Sequence, residues 1–213
     1  MERILWLYRL DYDAHYPVVC FDERPCFLIG DTMEAIPMVK GKVKKENYAY
    51  EKNGSCALLA CIEPLTGQRF AQVHERRTKK EYCVFMQALA LLYPDAIKIR
   101  LVQDNLNTHN ISSFYEHLPA EEAFALAQRF EFIHTPKSAS WLNMIEIEFS
   151  ALSKQCLNRR IPTKEMLEKE VQIIVKERNE KQVKIKWQFS IENAREKLNK
   201  KYCNMNNENC KTE

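Results

Sequence analysis

The sequence predicts an α/β protein built on a mixed β-sheet with helices on its faces. Three observations predict it. Residues 55–73 hold an antiparallel hairpin, with a long apolar run and an alternating run on either side of the turn string Pro64-Leu65-Thr66-Gly67. Short apolar runs at 17–22, 97–103 and 130–134 are separated by segments with helical spacing. The 213 residues, 46% hydrophobic and 29% charged, supply one core with appendages and exclude a disordered chain.

The elements follow in order. Residues 17–22 read as a buried strand, apolar without alternation. Cys26-Phe27-Leu28-Ile29 makes a short second run before a Lys-rich stretch at 40–46. Asn53-Gly54 is a turn signal. Ser55 to Ile62 then forms a strand, and Arg69-Phe70-Ala71-Gln72-Val73 returns from it. Thr78-Lys79-Lys80-Glu81 is a capping box for a helix carrying Tyr82, Phe85, Leu89 and Leu92 and ending near Tyr93-Pro94. After the strand at 97–103, helical sequence from about 111 to 129 breaks at Leu118-Pro119, where proline opens a new first turn. Phe130 to His134 is a strand and Trp141 to Leu157 a helix. Pro162-Thr163 begins another helix with Leu167, Val171, Ile174 and Val175 on one face, and Ser190 caps a last one reaching about Tyr202. Asn204 to Glu213 is polar and expected to be disordered. This succession is also the element order of the ribonuclease-H-like fold, in which the first and fourth strands lie side by side.

The net charge of +3 is unevenly spread. Residues 151–213 hold 15 Lys/Arg against 9 Asp/Glu, while residues 1–150 hold 17 against 20. An acidic body with a basic C-terminal part suits DNA held beside a metal site; two solvated Lys/Glu-rich helices explain the same numbers. Eight cysteines occur at 20, 26, 56, 61, 83, 156, 203 and 210 with no C-x-x-C pair, so they read as small core residues in a reducing cytosol. No signal peptide and no apolar run of about 18 residues is present. The expectation is a cytoplasmic protein without membrane or nucleotide-cofactor partners.

Three acids carry the chemistry. Asp22 ends the run Val18-Val19-Cys20-Phe21, and Asp104 ends Ile97 to Val102. In a sheet with these two strands adjacent, the acids become neighbours at the strand ends, where ligand sites are expected. A helical carboxylate would complete a site for two hard divalent cations about 4 Å apart, which activate an attacking hydroxyl and stabilise a leaving oxygen at a phosphodiester. Glu146 and Glu148 compete for that role. They lie about 200° apart on a helix and flank the stripe Leu142, Ile145, Phe149, Leu152 and Cys156 on opposite sides. Asn143 shares a face with Glu146, and an Asn near a substrate phosphate favours Glu146, leaving Glu148 as a solvent-facing acid.

The strings Val19-Cys20-Phe21-Asp22-Glu23-Arg24-Pro25, Val102 to His109 and Thr135 to Glu146 resemble the catalytic blocks of a bacterial insertion-sequence transposase of the mariner-related branch, the DDE superfamily endonucleases. The similarity runs from about Tyr16 to Tyr202. Asp-Asn-x-x-x-His and Ser-Trp-Leu-Asn-x-x-Glu are specific in combination. The resemblance implies that Asp22, Asp104 and Glu146 bind the metal, Mg²⁺ or Mn²⁺ as two ions. It implies cut-and-paste transposition, with double-stranded DNA of element ends and target as partner and a homodimer as the assembly. It places the catalytic domain at 1–157, a C-terminal helical extension at 158–203 packed on it, a disordered tail at 204–213, and no N-terminal helix-turn-helix domain. The segment Phe132-Ile133-His134-Thr135 departs from the family order of His, aromatic, Thr, Pro, and a one-place shift in a strand turns a side chain to the other face.

Further candidates surround the triad. His109 and Asn105 are expected at the DNA, with a loop histidine and a helix cap as the plainer readings. Asn143, Arg159 and Arg160 are expected phosphate contacts. Trp141 either wedges against DNA or packs in the core. Lys40, Lys42, Lys44, Lys45, Arg76, Arg77, Lys79 and Lys80 either track phosphates or are solvated loops. Two other functions fit in part: a catalytically silent truncated transposase acting as an inhibitor or remnant, and a host nuclease of ribonuclease-H-like fold. The latter lacks a reason for the Ser-Trp-Leu-Asn-x-x-Glu block.

Overall fold

Val18, Cys20 and Phe21 are all buried because the strand that carries them has helices on both sides. In the computed structural model, which describes residues 1–34, 36, 38–43 and 47–199, that strand is β1 (Val18–Asp31). It joins β2 (Tyr50–Glu63), β3 (Gln68–His74), β4 (Ile99–Gln103) and β5 (Phe130–His134) in one sheet of order β3-β2-β1-β4-β5. β1, β2 and β3 pair antiparallel, while β4 runs parallel to β1 and β5 parallel to β4. This is the ribonuclease-H-like sheet that the element order predicts. Val18 and Cys20 pack on one face, Val19 and Phe21 on the other, the alternation of a pleated strand buried twice.

One face is covered by α2 (Lys79–Leu92), α3 (Ser112–His117) and α4 (Ala120–Gln128), which bury Tyr82, Phe85, Leu89, Phe114 and Ala123. Thr78 caps α2 with a full capping box. The other face is covered by α5 (Ile145–Leu152), α6 (Lys164–Glu180) and α7 (Ile191–Lys197). Leu167, Val171 and Val175 of α6 enter this core, so α6 is a layer of the domain rather than an appendage. Thr163 and Ser190 cap α6 and α7 as their sequence positions predict. The expected end of the last helix at Tyr202, and the tail from Asn204 to Glu213, lie outside the described residues.

Several expectations are corrected. The two runs at 17–22 and 26–29 form one strand, because β4 pairs β1 only over Val18–Cys20; past that point one edge of β1 has no ladder, and Pro25 is tolerated there. Asn53-Gly54 is not a turn. Gly54 has φ +108° inside β2, and the register shifts opposite Leu28/Ile29, so the pair forms a β-bulge; the positive φ that the motif announces is used to bend a strand. The helix from Trp141 begins as a 3₁₀ turn (Ser140–Leu142) and ends as a π-helical turn (Ser153–Leu157) after α5. An unanticipated helix, α1 (Glu2–Leu7), buries Ile4, Leu5 and Leu7 in the same core as α6. Arg195 forks onto Glu2 at 2.9 and 2.7 Å, tying α7 to α1.

Glu148 is not solvent-facing. It is 2% exposed. Arg178 donates to both of its carboxylate oxygens at 2.8 and 3.0 Å, and Nε of Arg69 lies 2.9 Å from Oε2. Asn179 exchanges two 2.9 Å hydrogen bonds with the backbone of Arg69. One carboxylate thus fastens α5 to α6 and to β3. Glu148→Gln leaves two guanidinium groups facing a neutral amide, and breaking a buried pair costs roughly 3–5 kcal/mol. Glu146→Gln, on the exposed side of α5, changes stability by no more than about 0.5 kcal/mol. Denaturant titration of both variants measures the contrast; equal midpoints would overturn it.

Candidate active site

Asp22 and Asp104 meet through strand register. Cys20 of β1 is level with Val102 of β4, and two residues further along these parallel strands bring Asp22 level with Asp104, just beyond the end of β4. Glu146 comes from the first turn of α5. Asn143, whose side chain donates to the carbonyl of Phe21 at 2.8 Å, staples the entry of that helix to the residue before Asp22. Asn143 is completely buried, so it is not a phosphate contact; it sets the distance between helix and strand.

The three acids act on one another electrostatically. Burial raises the Asp22 carboxyl, the backbone N–H of Glu23 opposes this from 2.7 Å, and the charges of Asp104 and Glu146 raise it again, to about 7. Asp104 moves the other way: the hydrogen bond from His109 holds it below the usual carboxylate range. The set consists of hard oxygen donors suited to Mg²⁺ or Mn²⁺, and the repulsion recorded at Asp22 is what a bound cation relieves. Among the described residues no three His, Cys, Asp or Glu side chains are already drawn in to the spacing of a ligand shell. Glu146, exposed on its helix, has the freest side chain of the three.

His109 is corrected from a DNA contact to an internal support. It is 0% exposed. Its Nδ1 lies 2.5 Å from Oδ1 of Asp104, and its Nε2 lies 3.6 Å from Oε2 of Glu23, an ion-pair distance beyond hydrogen-bond range. Its ring stacks on Tyr82 at 5.0 Å and meets the edge of Phe21 at 5.2 Å. Burial by itself lowers the imidazole pKa; Asp104 and Glu23 outweigh it and raise it to about 9. Gln103 locks the loop, donating to the carbonyl of His109 and accepting from the Tyr82 hydroxyl, each at 2.9 Å. Glu23 and Gln103 escaped the sequence reading. A glutamate beside Asp22 and a glutamine inside an apolar strand run were the available signals.

An open cleft of about 630 Å³ lies against Asp104, lined by Asp104 to Leu106 and His134 to Ser140. Asn105 is exposed in it, as expected of a residue facing substrate. His134 is exposed at its edge, 3.3 Å from Nε2 of Gln103. Arg159 and Arg160 do not line it. Arg159 is paired with Glu170 of α6, while Arg160 holds Asp31 and the carbonyls of Asn47 and Ala49 at 2.6, 2.6 and 3.1 Å, so Arg160 braces the long hairpin and neither arginine is a free phosphate contact. Lys40, Lys42, Arg76 and Lys80 are exposed, Arg77 and Lys79 face Glu23 and Glu116, and Lys44 and Lys45 lie outside the described residues.

The Asp22 shift has a stability consequence. Its folded pKa of about 7 lies above the roughly 3.9 of an unfolded Asp, so its favourable contribution is complete below about pH 4 and is lost as pH rises to 7. Asp22→Asn removes this dependence. In chelator, the variant's stability advantage over the parent grows by roughly 2–3 kcal/mol between pH 5 and 8. Parallel stability curves across that range would show that Asp22 does not titrate abnormally.

A family model described as DDE superfamily endonuclease matches residues 17–168. No curated protein matches the chain. Among solved structures, a pre-cleavage Mos1 transpososome aligns at 14% identity and TM-score 0.44, covering 85% of this chain and 59% of that one. A Mos1 transposase paired-end complex with the left transposon end aligns at 15% identity and TM-score 0.44, with 85% and 58% covered. A Mos1 mariner paired-end complex with Mn gives 16% identity and TM-score 0.35, with 85% and 59% covered. The chain thus spans less than two thirds of the length of these transposase chains. The family match runs from β1 into α6, takes in Asp22, Asp104 and Glu146, and occupies well over half of the 213 residues: the chain belongs to the DDE superfamily endonucleases.

Proposed function

We propose that this chain is the catalytic domain of a DNA transposase that cuts element ends and joins them to target DNA, with Asp22, Asp104 and Glu146 as its metal-binding triad. The observation that carries the reading is the parallel register of β1 and β4, which sets Asp22 level with Asp104 while Glu146 acts on Asp22 electrostatically. When bound, two divalent cations supply charge neutralisation and an activated oxygen nucleophile at the scissile phosphate. The chain's own residues do the positioning. His109 directs a proton at Oδ1 of Asp104 and leaves the second oxygen to face the site. Asn143 fixes the base of α5, so that Glu146 reaches the same point from the helix side. Asn105 and Lys137 line the cleft with a donor amide and a cation, the groups that hold a phosphate backbone in place. Double-stranded DNA is the substrate, and since cut-and-paste transposition acts on two ends, a homodimer with one centre per end is the proposed assembly. The retained carboxylates favour chemistry over a silent remnant.

Mn²⁺-dependent nicking of supercoiled DNA tests the reading. Asp22→Asn, Asp104→Asn and Glu146→Gln each reduce it at least a hundredfold while circular dichroism and melting report a folded protein. Full activity in Glu146→Gln would reject the assignment of the third acid. His109→Phe keeps the ring packing but removes the bond to Asp104. It raises the Mn²⁺ concentration for half-activation about 10- to 100-fold, the size of effect seen for partners that orient metal ligands. An unchanged Mn²⁺ requirement would show that His109 only fills space.

A further inference from the structure

Trp141 is 47% exposed, although its neighbour Leu142 is completely buried. The ring is held from behind. It lies nearly parallel to Trp187, at 14° with centroids 6.4 Å apart, and meets Phe189 edge-on at 5.4 Å. Trp187 is itself fixed, by a 2.8 Å hydrogen bond from its indole N–H to the carbonyl of Phe189 and by contact with Tyr8 at 5.3 Å. The Tyr8 hydroxyl in turn donates to the carbonyl of Leu142 at 2.7 Å, which ties the 3₁₀ turn to the aromatic cluster. Core packing does not use the exposed part of this indole.

Its position gives it a ligand. Ser140, the residue before it, lines the cleft at Asp104. Lys137 lines the same cleft, Lys186 and Lys184 flank Trp187 in sequence, and Lys197 stands 5.4 Å over the Phe189 ring. Among the described residues these lysines make no ion pair. A fixed aromatic surface, with a lysine in the adjoining cleft at Asp104 and another over the Phe189 ring that backs it, has the chemistry of a single-strand stacking platform: lysines take the backbone and the ring takes a base. We propose that Trp141, backed by Trp187 and Phe189, stacks an unpaired nucleobase next to the scissile phosphate. The inference rests on the transposase reading above and adds a base-binding subsite to it. Rigidity matters here, since a ring already fixed by two aromatic neighbours loses little freedom when a base lands on it.

The test is binding in chelator, where no cleavage occurs. Three fluorescent DNAs of equal length serve as probes: a fully paired duplex, the same duplex with three unpaired terminal nucleotides, and that frayed duplex with abasic sites at the unpaired positions. The parent protein is expected to prefer the frayed duplex over the paired one about tenfold, and the abasic version loses the preference. Trp141→Ala abolishes it with the paired-duplex affinity unchanged and circular dichroism still that of a folded protein, while Trp141→Phe keeps most of it. A preference that survives Trp141→Ala overturns the platform, as does equal affinity of the parent for frayed and abasic ends. Failure to bind any of the three DNAs rejects the transposase reading itself, and the platform with it.

Discussion

Three backbone residues govern the site. Over Val18–Cys20, β1 pairs with β4 in parallel, and that register alone sets Asp22 level with Asp104 across 82 positions of sequence. Parallel pairing between these strands needs a crossover, supplied here by the hairpin partners β2 and β3 and by α2 on one face. A slip of one residue would turn Asp22 into the opposite core and bring a hydrophobic side chain to the site. Burial of Val18 and Cys20 on one face and Val19 and Phe21 on the other forbids such a slip. The catalytic geometry is thereby held by hydrophobic burial on both sides of a strand that continues past the site.

The same register creates an electrostatic problem. Asp22 sits near two other carboxylates and is partly shielded from water, so its ionised form is disfavoured. The protein answers at Asp104 rather than at Asp22. His109, enclosed by Tyr82 and Phe21 and facing Glu23, brings a compensating positive charge that acts most strongly on Asp104, its hydrogen-bond partner, and more weakly on Asp22. Two acids in one site therefore hold opposite tendencies, Asp104 toward the ionised form and Asp22 toward the protonated one. That asymmetry follows from which residue the buried imidazole touches.

Most of the fold was legible in the sequence because its signals are local. The capping box at Thr78, the proline at 119, the turn at Pro64 to Gly67 and the caps Thr163 and Ser190 each act within a few residues and stand where expected. The misreadings share a cause, since each depends on a partner distant in sequence. Asn53-Gly54 announced a positive φ, but whether that makes a turn or a bulge depends on the strand opposite, which only pairing with Leu28 and Ile29 decides. Helix α1 carries too few residues to declare itself, and it exists because the α6 and α7 layer covers it. Glu148 looked like a surface acid because Arg69 and Arg178 lie 79 and 30 positions away. At the site, Asp22, Asp104 and Glu146 could be picked out by residue type and order. The roles of His109 and Asn143 could not, because burial decides whether a polar side chain serves the substrate or the scaffold.

Glu146 and Glu148 show how burial divides work on one helix. Glu148 faces two guanidinium groups and has every oxygen engaged, so it is a poor metal ligand however near it lies. Glu146, on the other side of α5, is exposed and acts on Asp22. Glu146 depends on Glu148, since the ion-pair knot at Glu148 anchors the helix that presents Glu146, and Asn143 ties its first turn to Phe21. The rigid parts of the site, His109, Asn143 and Glu148, are therefore the buried ones. The parts left exposed include Glu146, Asn105 and Lys137, whose side chains remain free to adjust. The proposed function, which closes the site around metal and then around DNA, would draw on this division, because preorganisation in the support and freedom at the rim cannot reside in the same side chain.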